Sequence, residues 1–152
     1  MSAKSFTVNL KSKIKSYKKV IDVDSDKSLS IRSFIIGSIC QKISFASNIL
    51  ESEDVKSTIS TCRKLGVKIV KIKSKKYKIY GKGLGSFYAK KNTELDFCNS
   101  GTLARLLIGV LSTTPNIEVK IRGDHSLNKR NMGEIIKLMS KFGAVFLPKN
   151  KF

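Results

Sequence analysis

The sequence predicts a mixed α/β (α+β) fold of repeated βαβαββ units, and three observations carry that expectation. Apolar residues recur at helical spacing in four places, strand-like alternation lies between them, and the two halves of the chain match each other in order. The helical stretches are Ser28–Cys40, Glu53–Leu65, Gly101–Leu111 and Asn131–Phe142. The strand-like ones are Phe6–Leu10, Val20–Val23, Ile43–Ala46, Val67–Lys73, Tyr77–Tyr80, Leu95–Phe97, Ile117–Arg122 and Ala144–Leu147. After the first strand the order reads βαβαββ, then βαβα and one further β.

The halves superimpose landmark by landmark. "SLSIRSFIIGSI" from Ser28 answers to "GTLARLLIGVL" from Gly101, an offset of 73 that sets Arg32 on Arg105. "KISFA" from Lys42 answers to "NIEVKI" from Asn116, and "RKLGVKI" from Arg63 to "SKFGAVF" from Ser140, offsets of 74 and 77. In each copy the second helix ends on a glycine placed as a C-cap, Gly66 or Gly143, with a strand directly after it. The first unit, 18–81, closes with a hairpin. The second, 94–152, reaches "FLPKNKF" before a last strand forms, so the chain reads as about two units of one domain, truncated within the second.

Length and charge set the outer bounds. With 152 residues the chain holds one domain with a real core. Thirty Lys and Arg against 11 acidic residues give a formal charge of +19, which points to anionic partners: nucleic acid, lipid headgroups or phosphorylated small molecules. Only five of these cations are arginines, and the densest run, "KIVKIKSKKYKIYGKG" at 68–83, alternates Lys with Val, Ile and Tyr as a hairpin with one solvated face does. Three cysteines without Cys-x-x-Cys spacing and a single histidine support neither a disulfide framework nor a metal site. No apolar run is long enough to span a membrane, and the first residues lack a signal-peptide apolar core. A reducing, cytoplasmic setting is expected.

The placement of charge is more specific. A helix N-terminus carries partial positive charge and ordinarily attracts Asp and Glu, as "ESED" does with Glu53 and Asp54 behind a capping Ser52. The first helix of each copy differs. "KSLSIR" and "NSGTLAR" put no carboxylate in the first two turns, supply hydroxyls and an amide, and add an arginine one turn later. Both N-termini are expected to receive an external anion. Ser28 and Arg32 are four apart on one helix face with Lys27 at the mouth, although Asp26 is placed either to cap the helix or to pair with Lys27. "NSGT" at 99–102 lets backbone N–H groups approach an anion closely. "GDHSLNKR" at 123–130 adds Lys129 and Arg130 in a loop, Arg130 being suited to hold a carboxylate or phosphate bidentately. His125 is a candidate general base, but in a polar loop it reads first as a surface residue.

Together these stretches resemble the enolpyruvyl transferases, specifically the branch that acts on shikimate 3-phosphate. That family shows segments like PGDKS-x-S-x-R, LLxSEDT, D-x-GNSGT-x-x-R and GDxSLxxRPM. Here they stand in order as "DSDKSLSIR", "NILESEDV", "LDFCNSGTLAR" and "GDHSLNKRNM". The chain departs from the pattern at Asp24-Ser25 for Pro-Gly, Cys98 for Gly, and Asn131 for Pro. The resemblance implies domains of three βαβαββ units each. Residues 1–17 would be the N-terminal strand segment that pairs with a second, absent domain, and 18–152 a partial domain.

It also implies roles. Lys27, Ser28 and Arg32 match the residues that hold shikimate 3-phosphate. Lys27, Gly101 and Arg130 match the phosphoenolpyruvate site, with Asn99 and Thr102 supporting. The implied reaction transfers enolpyruvyl to the 5-hydroxyl and releases phosphate. It requires no cofactor or metal, draws its proton-transferring carboxylate from the other domain, and implies a monomeric complete enzyme. Two alternatives remain at this point. The related transferase acting on UDP-N-acetylglucosamine shares the fold, but usually carries Asn where Ser28 stands. A basic nucleic-acid-binding module would need stacking aromatics, for which Tyr77, Tyr80, Phe87 and Tyr88 are the only cluster.

Overall fold

The computed structural model describes residues 7–9, 11, 16, 18, 20, 21 and 23–147. Helix α1, Lys27–Ile39, starts where Asp26 holds extended backbone and its carboxylate accepts the Leu29 N–H at 2.6 Å. Strand β1 (Ile43–Ser47), helix α2 (Glu53–Lys64) and the hairpin β2 (Lys68–Lys73) and β3 (Lys76–Tyr80) complete the first unit. Then come β4 (Glu94–Asp96), α3 (Gly101–Leu111), β5 (Lys120–Arg122), a one-turn α4 (His125–Asn128) and α5 (Gly133–Lys141).

The first unit's sheet has the order β1-β3-β2, antiparallel throughout. Alternation along its strands puts Ile69, Tyr77 and Ile79 on the inner face, all buried. There α1 packs closely: the Phe34 and Tyr77 rings meet edge-on at 5.2 Å, and a Cβ on Gly37 would stand 2.8 Å from the Ile79 Cδ1. Only glycine lets helix and sheet approach this far. Helices α1, α2 and α3 then share one core in which Ile31, Phe34, Val55, Leu65, Leu103 and Leu107 are fully buried. Each such side chain contributes roughly 1.5–3 kcal/mol by leaving water.

The repeat is legible in the packing. Buried Ser30, Ile31, Phe34, Ile35 and Ser38 of α1 correspond, at the offset of 73, to buried Leu103, Ala104, Leu107, Ile108 and Leu111 of α3. Both second helices end in the same pair of hydrogen bonds. The Gly66 N–H donates to the Arg63 carbonyl and the Val67 N–H to the Cys62 carbonyl; the Gly143 N–H donates to Ser140 and the Ala144 N–H to Met139. Gly66 and Gly143 sit at φ +86° and +93°, the left-handed conformation that this termination requires.

Three strand expectations need correction. Among the described residues Ile117–Arg122 pairs only over Lys120–Arg122, parallel to β4, while Ala144–Leu147 and the described part of Val20–Val23 join no ladder. A short segment becomes a strand only when a neighbour takes up its backbone groups. In the first unit β3 does this for both β1 and β2, and it has no counterpart among the described residues of the second. Of the expected strand Phe6–Leu10, residues 7–9 are unpaired and both ends lie outside the described residues, as does most of segment 1–17. Among the described residues, no helix is long and apolar enough to cross a membrane.

Candidate anion-binding site

The loop 97–100 delivers the N-terminus of α3. Leu95 and Phe97 are fully buried, which anchors β4 and the start of the loop. Asp96 then bridges: one carboxylate oxygen accepts the Cys98 N–H at 2.8 Å, and the other pairs with the Arg122 guanidinium at 2.5 Å. These bonds, the Cys98 N–H first, hold the Asp96 carboxyl below its ordinary pKa. Cys98 takes φ +47°, a left-handed conformation that is strained for a residue with a side chain. The thiol itself is pushed up in pKa, by burial first and by Asp96 second.

Ser100 caps α3, its hydroxyl accepting the Leu103 N–H at 3.2 Å, and no acidic residue occupies the first turn. Two guanidiniums close around Gly101. A Cβ on that residue would lie 2.5 Å from the Arg130 Nη1 and 3.0 Å from the Arg105 Nη1. The Arg130 Nη2 donates to the Asn99 Oδ1 at 2.5 Å, and the Arg105 Nη2 to the Asn131 carbonyl at 3.4 Å. Gly101, Asn99 and Arg130, which the resemblance grouped, lie together here, with half-buried Thr102 beside them in the first turn. Two cations and the positive end of a helix repel one another unless an anion joins them.

Arg130 reaches Gly101 through an element the sequence reading missed. Asp124 caps the one-turn α4 by accepting the Leu127 N–H at 2.7 Å, and buried Leu127 pins the turn to the core. His125 opens this turn and is exposed, as is Lys129 at its end. The "GDHSL" spacing, a capping Asp three residues before a Leu, was the available signal.

The α1 end is arranged differently. Asp26 is the cap, and Lys27 pairs not with it but with Asp54 in the first turn of α2, Nζ to Oδ2 at 2.9 Å. Ser28 is half-buried and Arg32 exposed, and neither side chain enters a hydrogen bond or ion pair among the described residues. Lys27, Ser28 and Arg32 thus share the first two turns of α1, with no hydrogen bond between them among the described residues. Ser52 occupies the N-cap position of α2 but makes no side-chain cap bond, and its buried hydroxyl has no partner among the described residues.

The lysine-rich hairpin shows one solvated face, as expected. Lys68, Lys73, Lys76 and Lys78 are exposed or half-exposed there, with the Lys78 Nζ 5.1 Å from the Tyr80 ring centre. The aromatic cluster needed for base stacking is not assembled: Tyr77 and Phe87 are buried. The Tyr77 hydroxyl donates instead to Glu51, which also pairs with Lys71 at 2.7 Å.

Helix N-termini with cations beside them, carried by repeated α/β units, define the architecture of the domain. Residues 11–151 match the family described as EPSP synthase (3-phosphoshikimate 1-carboxyvinyltransferase), and the chain belongs to that family. The 3-phosphoshikimate 1-carboxyvinyltransferase of Leptospira interrogans (serovar copenhageni) is 40% identical over 134 residues, which is 88% of this chain and 30% of the relative. That of Desulforamulus reducens is 38% identical over 138 residues, 91% of this chain and 32% of its own length. The solved EPSP synthase from Acinetobacter baumannii superimposes with a TM-score of 0.76 at 34% identity, covering 87% of this chain and 30% of that one. The chain spans about three tenths of the length of the relatives it matches.

Proposed function

We propose that this chain forms part of the active site of an enolpyruvyl transferase that joins phosphoenolpyruvate to the 5-hydroxyl of shikimate 3-phosphate and releases inorganic phosphate. The observation that carries the proposal is the pair of guanidiniums of Arg105 and Arg130 facing Gly101 at an acid-free helix N-terminus.

Lys27, Ser28 and Arg32 form the seat for shikimate 3-phosphate at the start of α1. Phosphoenolpyruvate lies between them and α3, held by Lys27, the Gly101 backbone and Arg130, with Asn99 fixing the guanidinium plane and Thr102 supporting. In the reaction the 5-hydroxyl oxygen bonds to C2 of phosphoenolpyruvate while C3 gains a proton, and the tetrahedral adduct then expels phosphate. The residues here supply position and charge neutralisation for two polyanions held side by side. None of them is assigned the proton transfers. The resemblance gives those to a second domain, so this chain alone is expected to show no turnover, and residues 1–17 are assigned to the connection with that domain.

Amide chemical-shift changes on titration with shikimate 3-phosphate, then with phosphoenolpyruvate, test this reading. The first ligand should shift Lys27–Arg32 and the second Asn99–Thr102 and Arg130. Shifts confined to the lysine-rich hairpin would overturn it.

A further inference from the structure

We infer that Asp54 is a positioning residue that presents the Lys27 ammonium to the ligand anion, an inference that rests on the reading of Lys27 as an anion-binding group. Its basis is geometric. Lys27 opens α1 and Asp54 lies in the first turn of α2, 27 positions later, and the packing of the two helices sets both N-termini at one end of the core. The pair closes at 2.9 Å. Asp54 is well shielded, with its side chain 13% exposed, whereas Lys27 remains 51% exposed. The carboxylate is thus the fixed member and the ammonium the one with free surface to offer.

The chemistry follows from donor counting. An ammonium has three N–H donors, and one carboxylate oxygen at 2.9 Å takes one of them. The others stay available to a phosphate or carboxylate at the mouth of α1. A free lysine stem must be ordered when the ligand binds, at about 0.5–1.5 kcal/mol for a rotamer-rich side chain. Asp54 meets that cost beforehand, in the folded protein. Dipole stabilisation of α2 does not require it, because Glu53 occupies the same turn, 87% exposed and paired only with Lys56.

The test titrates the full chain with inorganic phosphate at constant ionic strength, reading the Lys27 and Ser28 amides by NMR. Five proteins are compared: wild type, Lys27→Ala, Asp54→Asn, the double variant and Asp54→Glu. Asp54→Asn should weaken phosphate binding about twofold to tenfold, the range set by one ordered side chain. Asp54→Glu, which keeps the carboxylate, should recover most of that loss. In the Lys27→Ala background Asp54→Asn should have no further effect, since Asp54 acts only through Lys27. A merely structural role would instead give an additive loss, and that result overturns the inference. Unchanged or tighter binding by Asp54→Asn also overturns it while leaving the seat intact. If Lys27→Ala itself binds as wild type does, the reading of the seat falls, and the inference with it. Should Asp54→Asn unfold, Asp54→Ser, alone and combined with Lys27→Ala, carries the same comparison.

Discussion

The Arg130 guanidinium donates to the Asn99 side-chain oxygen at 2.5 Å, tying the loop after α4 to the loop before α3 across 31 residues. One bond therefore fixes the direction of the cation and the shape of the helix entrance together. Arg130→Ala should weaken phosphoenolpyruvate binding about tenfold to a hundredfold, the range for a charge-assisted bond of ~1.5–3 kcal/mol. Arg130→Lys should recover only part of this, because an ammonium lacks the planar fork. Calorimetric titration of the three proteins decides the matter, and equal affinities would remove Arg130 from the site.

Gly101→Ala separates binding from folding. Its Cβ would sit 2.5 Å from the Arg130 Nη1, so the guanidinium must move, while the helical backbone at this position suits alanine. Thermal stability should hold or rise slightly, by at most about 1 kcal/mol from helix propensity. Phosphoenolpyruvate affinity should fall about tenfold or more as the charge-assisted contact is displaced. A variant that binds normally would show that the arginines do not grip an anion at this point.

Cys98→Gly should stabilise the protein. The present residue is held at φ +47°, where the family pattern carries glycine, and relief of left-handed strain is worth roughly 1–2 kcal/mol before the entropy of a freer unfolded chain is subtracted. A net gain of about 0.5–1 kcal/mol in urea unfolding is expected. A loss would mean that the Cys98 side chain contributes packing beyond its cost.

Glu51 and Tyr77 set the pH limits of the first unit's sheet. The hydrogen bond from Lys71, then that from Tyr77, holds the Glu51 carboxyl at about 2 against an ordinary 4.5. A depressed acid stabilises above its ordinary pKa, so this contribution is complete above 4.5 and disappears as pH falls toward 2. Burial, then the bond to Glu51, raises Tyr77 from 10 to about 12, so its neutral phenol stabilises fully below 10 and the contribution is lost on the way to 12. Glu51→Gln should flatten the stability profile at the acid edge, measured by urea midpoints between pH 2 and 5. An unchanged acid slope would place the titrating group elsewhere.

The helices were legible because their signal is local. Leu103, Leu107 and Leu111 recur every four residues, and Gly66 and Gly143 announce left-handed terminations that both form. The predicted α1, α2 and α3 boundaries fall within a residue of those observed. The short strands were less legible, since Ile117–Val119 and Ala144–Leu147 have suitable residues but no neighbour to bond with among the described residues.

Within the site, residue types were readable and partners were not. Asp54 looked like ordinary dipole compensation in "ESED", and only the packing of α1 on α2 reveals it as the partner of Lys27. Arg105 emerged from the repeat as the equivalent of Arg32 and lies one turn after Gly101, whereas the approach of Arg130 to the same glycine depends on where α4 returns the chain.

The outer face of the β1-β3-β2 sheet places Phe45 opposite Lys78, and Lys78 opposite Val70, with Phe45 left 71% exposed. Lysines set between apolar side chains act as spacers that keep like-charged molecules apart in solution. That protection is colloidal and depends on the ionic atmosphere, whose reach shrinks from about 10 Å at 0.1 M salt to about 3 Å at 1 M. Concentrated salt, often chosen to keep a basic protein off its anionic contaminants, is therefore the condition under which this face is most ready to self-associate.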